Sequence, residues 1–152
     1  MKILVDSNIV FSAIHNTQGQ TGQSIIDSSK YFEYYPLGLL KEEIVNHKSK
    51  NIQLTKFTEV QFPEVYQLIL SKILFVDDII ISDDDLLKAP GLVIEVDESD
   101  TLFVALNNYL YAKLWTGDEK LVKGFSQKND KNTISSNKLH KIYKRLKSKK
   151  ID

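Results

Sequence analysis

Two aspartates in this 152-residue chain follow directly on short apolar runs. Asp6 closes Ile3-Leu4-Val5-Asp6, and Asp118 closes Leu114-Trp115-Thr116-Gly117-Asp118. A third acid, Asp100, stands in Asp97-Glu98-Ser99-Asp100, immediately before an apolar helical stripe. A fourth, Glu43, lies between Leu40 and Ile44, whose spacing turns its stretch of helix toward a core. Carboxylates converging on one cleft repel one another unless a divalent cation neutralises them. The chain has no cysteine, and His15, His47 and His140 share no ligand spacing. An oxygen-only donor set favours Mg²⁺ or Mn²⁺ over zinc. Such an ion lowers the pKa of a bound water and so makes it a nucleophile near neutral pH.

Each acid also has an everyday alternative. Asp6 can act only as the N-cap of a following helix, and Asp118 only as a turn residue. Among Asp97, Glu98 and Asp100, at least one is expected to cap its own helix. Glu42 competes with Glu43 for the inward position. The run Asp83-Asp84-Asp85 reads as a capping and surface feature rather than a metal site.

The elements that must position these acids follow from the apolar pattern. Lys2-Ile3-Leu4-Val5 predicts a strand covered on both faces, typical of a parallel sheet. Asp6-Ser7-Asn8 offers cap formers for a helix through Ile14, which Asn16-Thr17-Gln18-Gly19 breaks, and Ser24 to Asp27 continues as a second helical piece. Tyr34-Tyr35-Pro36 predicts a second strand, with proline at its end. Leu39, Leu40, Ile44 and Val45 keep helical spacing. So do Val65, Leu68, Ile69 and Ile73 after a helix start at Phe62-Pro63-Glu64. Ile79-Ile80-Ile81 is too short to assign, and Pro90-Gly91 ends a short helix at Leu86-Leu87. Ala112 to Thr116 predicts a buried strand, and Asn132-Thr133-Ile134 a last one. Ser136 then caps a basic helix to about residue 150, whose Leu139, Ile142 and Leu146 are expected to pack on the sheet. Strands alternating with helices predict an α/β domain with a mainly parallel sheet, whose ligand sites lie beyond the carboxyl ends of the strands.

Composition bounds the rest. At 42% hydrophobic and 26% charged residues, the chain is expected to fold as one soluble domain spanning 1–152. Without cysteine there is no disulfide scaffold, zinc–thiolate site or cysteine nucleophile. No apolar stretch is long enough to span a bilayer, and Asp6 interrupts any secretory leader, so a cytoplasmic location and no membrane contact are expected. The zero net charge conceals a split: residues 1–120 carry −8 and residues 121–152 carry +8. The basic end, with Lys138, Lys141, Lys144, Arg145, Lys147, Lys149 and Lys150, is expected either to solvate an exposed helix or to meet an anion such as a nucleic-acid backbone, with Lys141, Lys144 and Arg145 as the candidate contacts.

Taken together, Asp6-Ser7-Asn8 after an apolar strand, Glu43 in Leu40-Lys41-Glu42-Glu43-Ile44, Asp100 in Asp97-Glu98-Ser99-Asp100-Thr101-Leu102-Phe103, and Thr116-Gly117-Asp118-Glu119-Lys120-Leu121 resemble the PIN domain family over roughly residues 1–146. The resemblance implies a three-layer α/β/α sandwich around a mainly parallel sheet, and a metal-dependent ribonuclease, often the toxin of a VapC-type toxin–antitoxin pair. It implies that Asp6, Glu43, Asp100 and Asp118 are the metal-binding acids, that Asn8 and Thr116 support them, and that Asp97 is an additional ligand. Segment 55–90 departs from the pattern, and the last helix is richer in lysine than the resemblance requires.

The resulting expectation is a Mg²⁺- or Mn²⁺-dependent endoribonuclease. Asp6, Asp100 and Asp118 hold the ion, Glu43 is a ligand or the orienting base, and products carry a 5′-phosphate and a 3′-hydroxyl. The candidate partners are an RNA substrate, an antitoxin protein and a second copy of the chain. The competing reading is a catalytically silent PIN-like module for RNA or protein binding. A phospho-receiver is disfavoured because Ser7 and Asn8 stand where it needs a second acid, and an aspartyl phosphatase because Asn8 replaces its second aspartate.

Overall fold

The computed structural model describes residues 1–36, 46, 50, 53, 58, 60–75, 110–126 and 132–149. Within them the chain runs β1 (Lys2–Val5), α1 (Ser7–His15), α2 (Gln20–Ser28), β2 (Glu33–Pro36), α3 (Gln61–Leu70), β3 (Lys113–Trp115), α4 (Glu119–Ser126) and α5 (Ser136–Ser148). The three strands form one parallel sheet in the order β2-β1-β3. This is the α/β architecture with a parallel sheet that the alternation of strand and helix predicts.

β1 is central because its apolar run can be covered on both faces. Ile3, Leu4 and Val5 are completely buried. They pair with Tyr34, Tyr35 and Pro36 on one side and with Lys113, Leu114 and Trp115 on the other. Pro36, which has no N–H to donate, falls at the end of β2. Two single bridges widen the sheet. Ile73 pairs in parallel with Tyr34, and Thr133 pairs in parallel with Leu114. The backbone N–H of Leu114 donates to Asn132 O at 2.7 Å, and that of Ile134 to Leu114 O at 2.8 Å. The segment expected as a last strand therefore does pair with β3, though only over one bridge.

The core joins Ile3, Val5 and Trp115 of the sheet to Val10 and Ile14 of α1, Ile25 of α2, Ile69 of α3 and Leu139 of α5. Full burial of a side chain of this size stabilises the fold by about 1.5–3 kcal/mol. The turn between α1 and α2 folds so closely onto α2 that a Cβ on Gly22 would lie 2.6 Å from Thr17 Cα and 2.7 Å from Asn16 O. Beneath the sheet, the buried Tyr34 hydroxyl meets Ser28 Oγ at 2.6 Å and donates to Ser24 O at 3.4 Å. Burial pushes the Tyr34 pKa up, against the smaller opposing effect of the Ser28 bond.

Two details differ from the sequence expectation. Ser135, not Ser136, caps α5: its side chain accepts from Lys138 N at 3.3 Å. Ser136 Oγ instead accepts the indole N–H of the buried Trp115 at 2.9 Å. The apolar stripe of α5 packs, as expected, on the core that includes the sheet residues Ile3, Val5 and Trp115, through Leu139, Ile142 and Leu146, and α5 also lies close to α2, with Tyr143 set against Tyr31 at 5.9 Å between ring centres. Leu68 is exposed, because the inward face of α3 runs through Phe62 and Ile69, and Leu68 falls to one side of that line.

Candidate functional site

The register Val5 opposite Trp115 leaves the next residues of both strands, Asp6 and Thr116, side by side at the carboxyl edge of the sheet. Asp6 N donates to Trp115 O at 3.1 Å, carrying the ladder one step past the strands. There the Thr116 hydroxyl donates to Asp6 Oδ2 at 2.6 Å. The same Thr116 oxygen accepts from Asp118 N at 3.0 Å. Thr116 thus ties the first carboxylate to the backbone that carries the second. Ser7 Oγ makes a longer contact, 3.4 Å, to Asp6 Oδ1.

The two aspartates divide the work of capping differently. Asp6 stands at the N-cap of α1 with the extended backbone of a cap residue (φ −67°, ψ 145°), and its carbonyl accepts from Ile9 N and Val10 N. Its side chain makes no cap bond. The capping alternative therefore accounts for the backbone of Asp6 and not for its half-buried carboxylate. Asp118 does cap: its Oδ1 accepts from Lys120 N at 2.8 Å, and its carbonyl accepts from Val122 N at 3.0 Å as α4 begins. Asp118 is exposed, as is Asn8 in the first turn of α1.

Of the residues that sequence singles out, Asp6, Thr116 and Asp118 are linked at this edge, and Asn8 lies in the first turn of α1. Glu43, Asp97 and Asp100 lie outside the described residues, as does the Asp83-Asp84-Asp85 run. Among the described residues no three acidic or histidine side chains come together as a metal cage. Lys138, Lys141, Lys144 and Arg145 are all exposed on α5. Sequence reasoning missed the contact of Ser7 with Asp6, and took Thr116 as support without its two bonds. The available signal was a hydroxyl residue two positions before an acid at the end of a strand.

The PIN domain model of the PIN_2 type matches residues 4–141. The chain belongs to the PIN domain family. PIN domains are generally nucleases that use divalent metal ions. The crystal structure of PAE2754 from Pyrobaculum aerophilum shares the PIN fold of this chain, with a TM-score of 0.61 and 16% identity over 97% of this chain and 90% of the other. No curated protein matches the chain in sequence. The carboxylates of Asp6 and Asp118 at this edge are oxygen donors of the kind a hard divalent cation takes, and the Ser7 and Thr116 hydroxyls are committed to Asp6 behind them. No helix among the described residues is long and apolar enough to cross a membrane.

Proposed function

We propose that this PIN domain is a Mg²⁺- or Mn²⁺-dependent endoribonuclease whose active site is built from Asp6, Glu43, Asp100 and Asp118. Asp6 carries the reading. Its backbone caps α1, yet its carboxylate is left out of the cap and is held by Thr116 from the neighbouring strand. A carboxylate fixed from behind by a hydroxyl keeps its remaining lone pairs directed at a ligand, as second-layer partners of metal-binding acids do. In this reading Asp6, Asp100 and Asp118 hold the ion, Asn8 and Asp97 complete the polar surroundings, and Glu43 orients the attacking water or binds the metal. When bound, the ion supplies water acidification and neutralises charge developing on the phosphate.

The chain's own contribution is positional. Thr116 commits its proton to Asp6 and so holds that carboxylate in one rotamer. Asp118 is held by the start of α4, so its carboxylate moves with the sheet edge rather than with a free loop. Attack by water on phosphorus with rupture of the P–O3′ bond leaves a 5′-phosphate and a 3′-hydroxyl. End-group analysis of single-stranded RNA incubated with the purified protein and Mn²⁺ tests the reaction. Products ending in a 2′,3′-cyclic phosphate contradict it. The finer assignment is a toxin with a cognate antitoxin: induced expression then arrests growth, and Asp6→Asn abolishes the arrest.

A further inference from the structure

The exposed side of α5 carries an ordered ridge of positive charge. Lys138, Lys141, Arg145 and Lys149 follow one another at spacings of three, four and four residues, so they line one face of the helix over about 16 Å. All four are exposed, while Leu139 and Tyr143 face inward on the other side. α5 contains no acidic residue, and none of these cations is ion-paired among the described residues. Lys147 stands apart from the ridge, with its ammonium over the Tyr143 ring at 5.8 Å.

The position of the ridge gives it direction. Thr133 pairs in parallel with β3, so the chain leaves the sheet at the same edge as Asp6 and Thr116 before it enters α5. The bond from Trp115 Nε1 to Ser136 Oγ fixes the first turn of α5 to the residue that precedes Thr116. The basic ridge therefore begins beside the carboxylate edge and leads away from it. We propose that this ridge is a track for the phosphate backbone of a single-stranded RNA whose scissile bond lies at the carboxylate edge. A strand entering a cluster of acids needs cations flanking that cluster, and Lys138 and Lys141 are the near end of such a flank. The identity of the strand rests on the ribonuclease reading, and the binding test below needs no cleavage.

The experiment measures binding of a fluorescent oligouridylate to the full chain in EDTA, as a function of salt. Each phosphate neutralised on a single strand contributes about 0.7 to the slope of log affinity against log salt. Replacing Lys138, Lys141 and Arg145 together with Gln should lower that slope by about 2, while Lys147→Gln leaves it unchanged. The single change Lys141→Gln should lower it by about 0.7, which keeps the test intact if the triple variant folds poorly. The Mn²⁺-induced shift in melting temperature should stay at the wild-type value in every variant. A wild-type slope in both the triple and the single variant overturns the track. Competition by polyglutamate as effective as that by RNA overturns it in favour of an acidic protein partner. Loss of the slope in a chain that never cleaves RNA would uphold the track and remove the ribonuclease reading.

Discussion

Thr116 donates its hydroxyl to the carboxylate of Asp6 across the boundary between two parallel strands, at 2.6 Å. The bond joins residues 110 positions apart and makes the geometry of the first acid depend on the strand that delivers the second. An acid that belonged only to its own helix would have no need of such a partner.

Thr116→Val keeps the β-branched shape and deletes the donor. It should lower Mn²⁺-dependent cleavage about 10- to 100-fold, the usual cost of losing a group that orients a metal-binding carboxylate. Thr116→Ser should recover most of the activity. Kinetics of both variants on one RNA substrate check this, and equal losses in Val and Ser would show that packing, not the hydroxyl, matters.

Asp118 carries two functions that substitution separates. Asn caps helices as well as Asp, so Asp118→Asn should change stability by only a few tenths of a kcal/mol while cleavage collapses. Asp118→Ala should lose cleavage and also about 1 kcal/mol of stability. Urea unfolding beside activity assays distinguishes the two.

Gly22 lies inside α2, where alanine would ordinarily gain up to about 1 kcal/mol in helix propensity. The backbone of Thr17 and Asn16 fills the space a Cβ needs. Gly22→Ala should therefore destabilise the protein by about 1–3 kcal/mol, the cost of overpacking. A higher melting temperature in the variant would show that the α1–α2 turn yields easily.

Tyr34 couples stability to alkaline pH. Its ionisation is pushed up in the fold by burial, from 10.0 in the unfolded chain. Its contribution is fully present below pH 10 and falls as pH rises beyond it, by up to about 1.4 kcal/mol per pH unit. Tyr34→Phe should flatten that fall while costing stability at neutral pH through the lost Ser28 and Ser24 bonds. Denaturant melts from pH 8 upward compare the two proteins. A parallel decline in both removes Tyr34 as the cause.

Much of the framework was legible from the apolar pattern. β1 was readable because an unbroken Ile3-Leu4-Val5 run suits only a strand covered on both faces, and its ending at Asp6 placed that acid at the carboxyl edge. The parallel pairing that brings Thr116 beside Asp6 was implied by the alternation of elements, but the hydrogen bond itself depends on register. Two adjacent serines, Ser135 and Ser136, look alike as caps; only the position of Trp115 decides which one the indole takes. The exposure of Leu68 turns on which side of α3 meets the core, and a heptad-like spacing leaves that choice to tertiary packing. The sequence offers a cap at Asp6 and a turn at Asp118 as everyday alternatives, yet it is Asp118 whose side chain caps a helix and Asp6 whose side chain does not.

The central claim is that the Asp6 carboxylate serves a metal-dependent cleavage of RNA. Its most direct test is cleavage of single-stranded RNA by wild type and by Asp6→Asn, with Mn²⁺ and with EDTA. Asn preserves size and cap chemistry but removes the charge that binds the ion. The account predicts cleavage by wild type that EDTA abolishes, and a loss exceeding about 100-fold in Asp6→Asn at unchanged melting temperature without metal. Equal cleavage by the two proteins, or cleavage indifferent to EDTA, would contradict it.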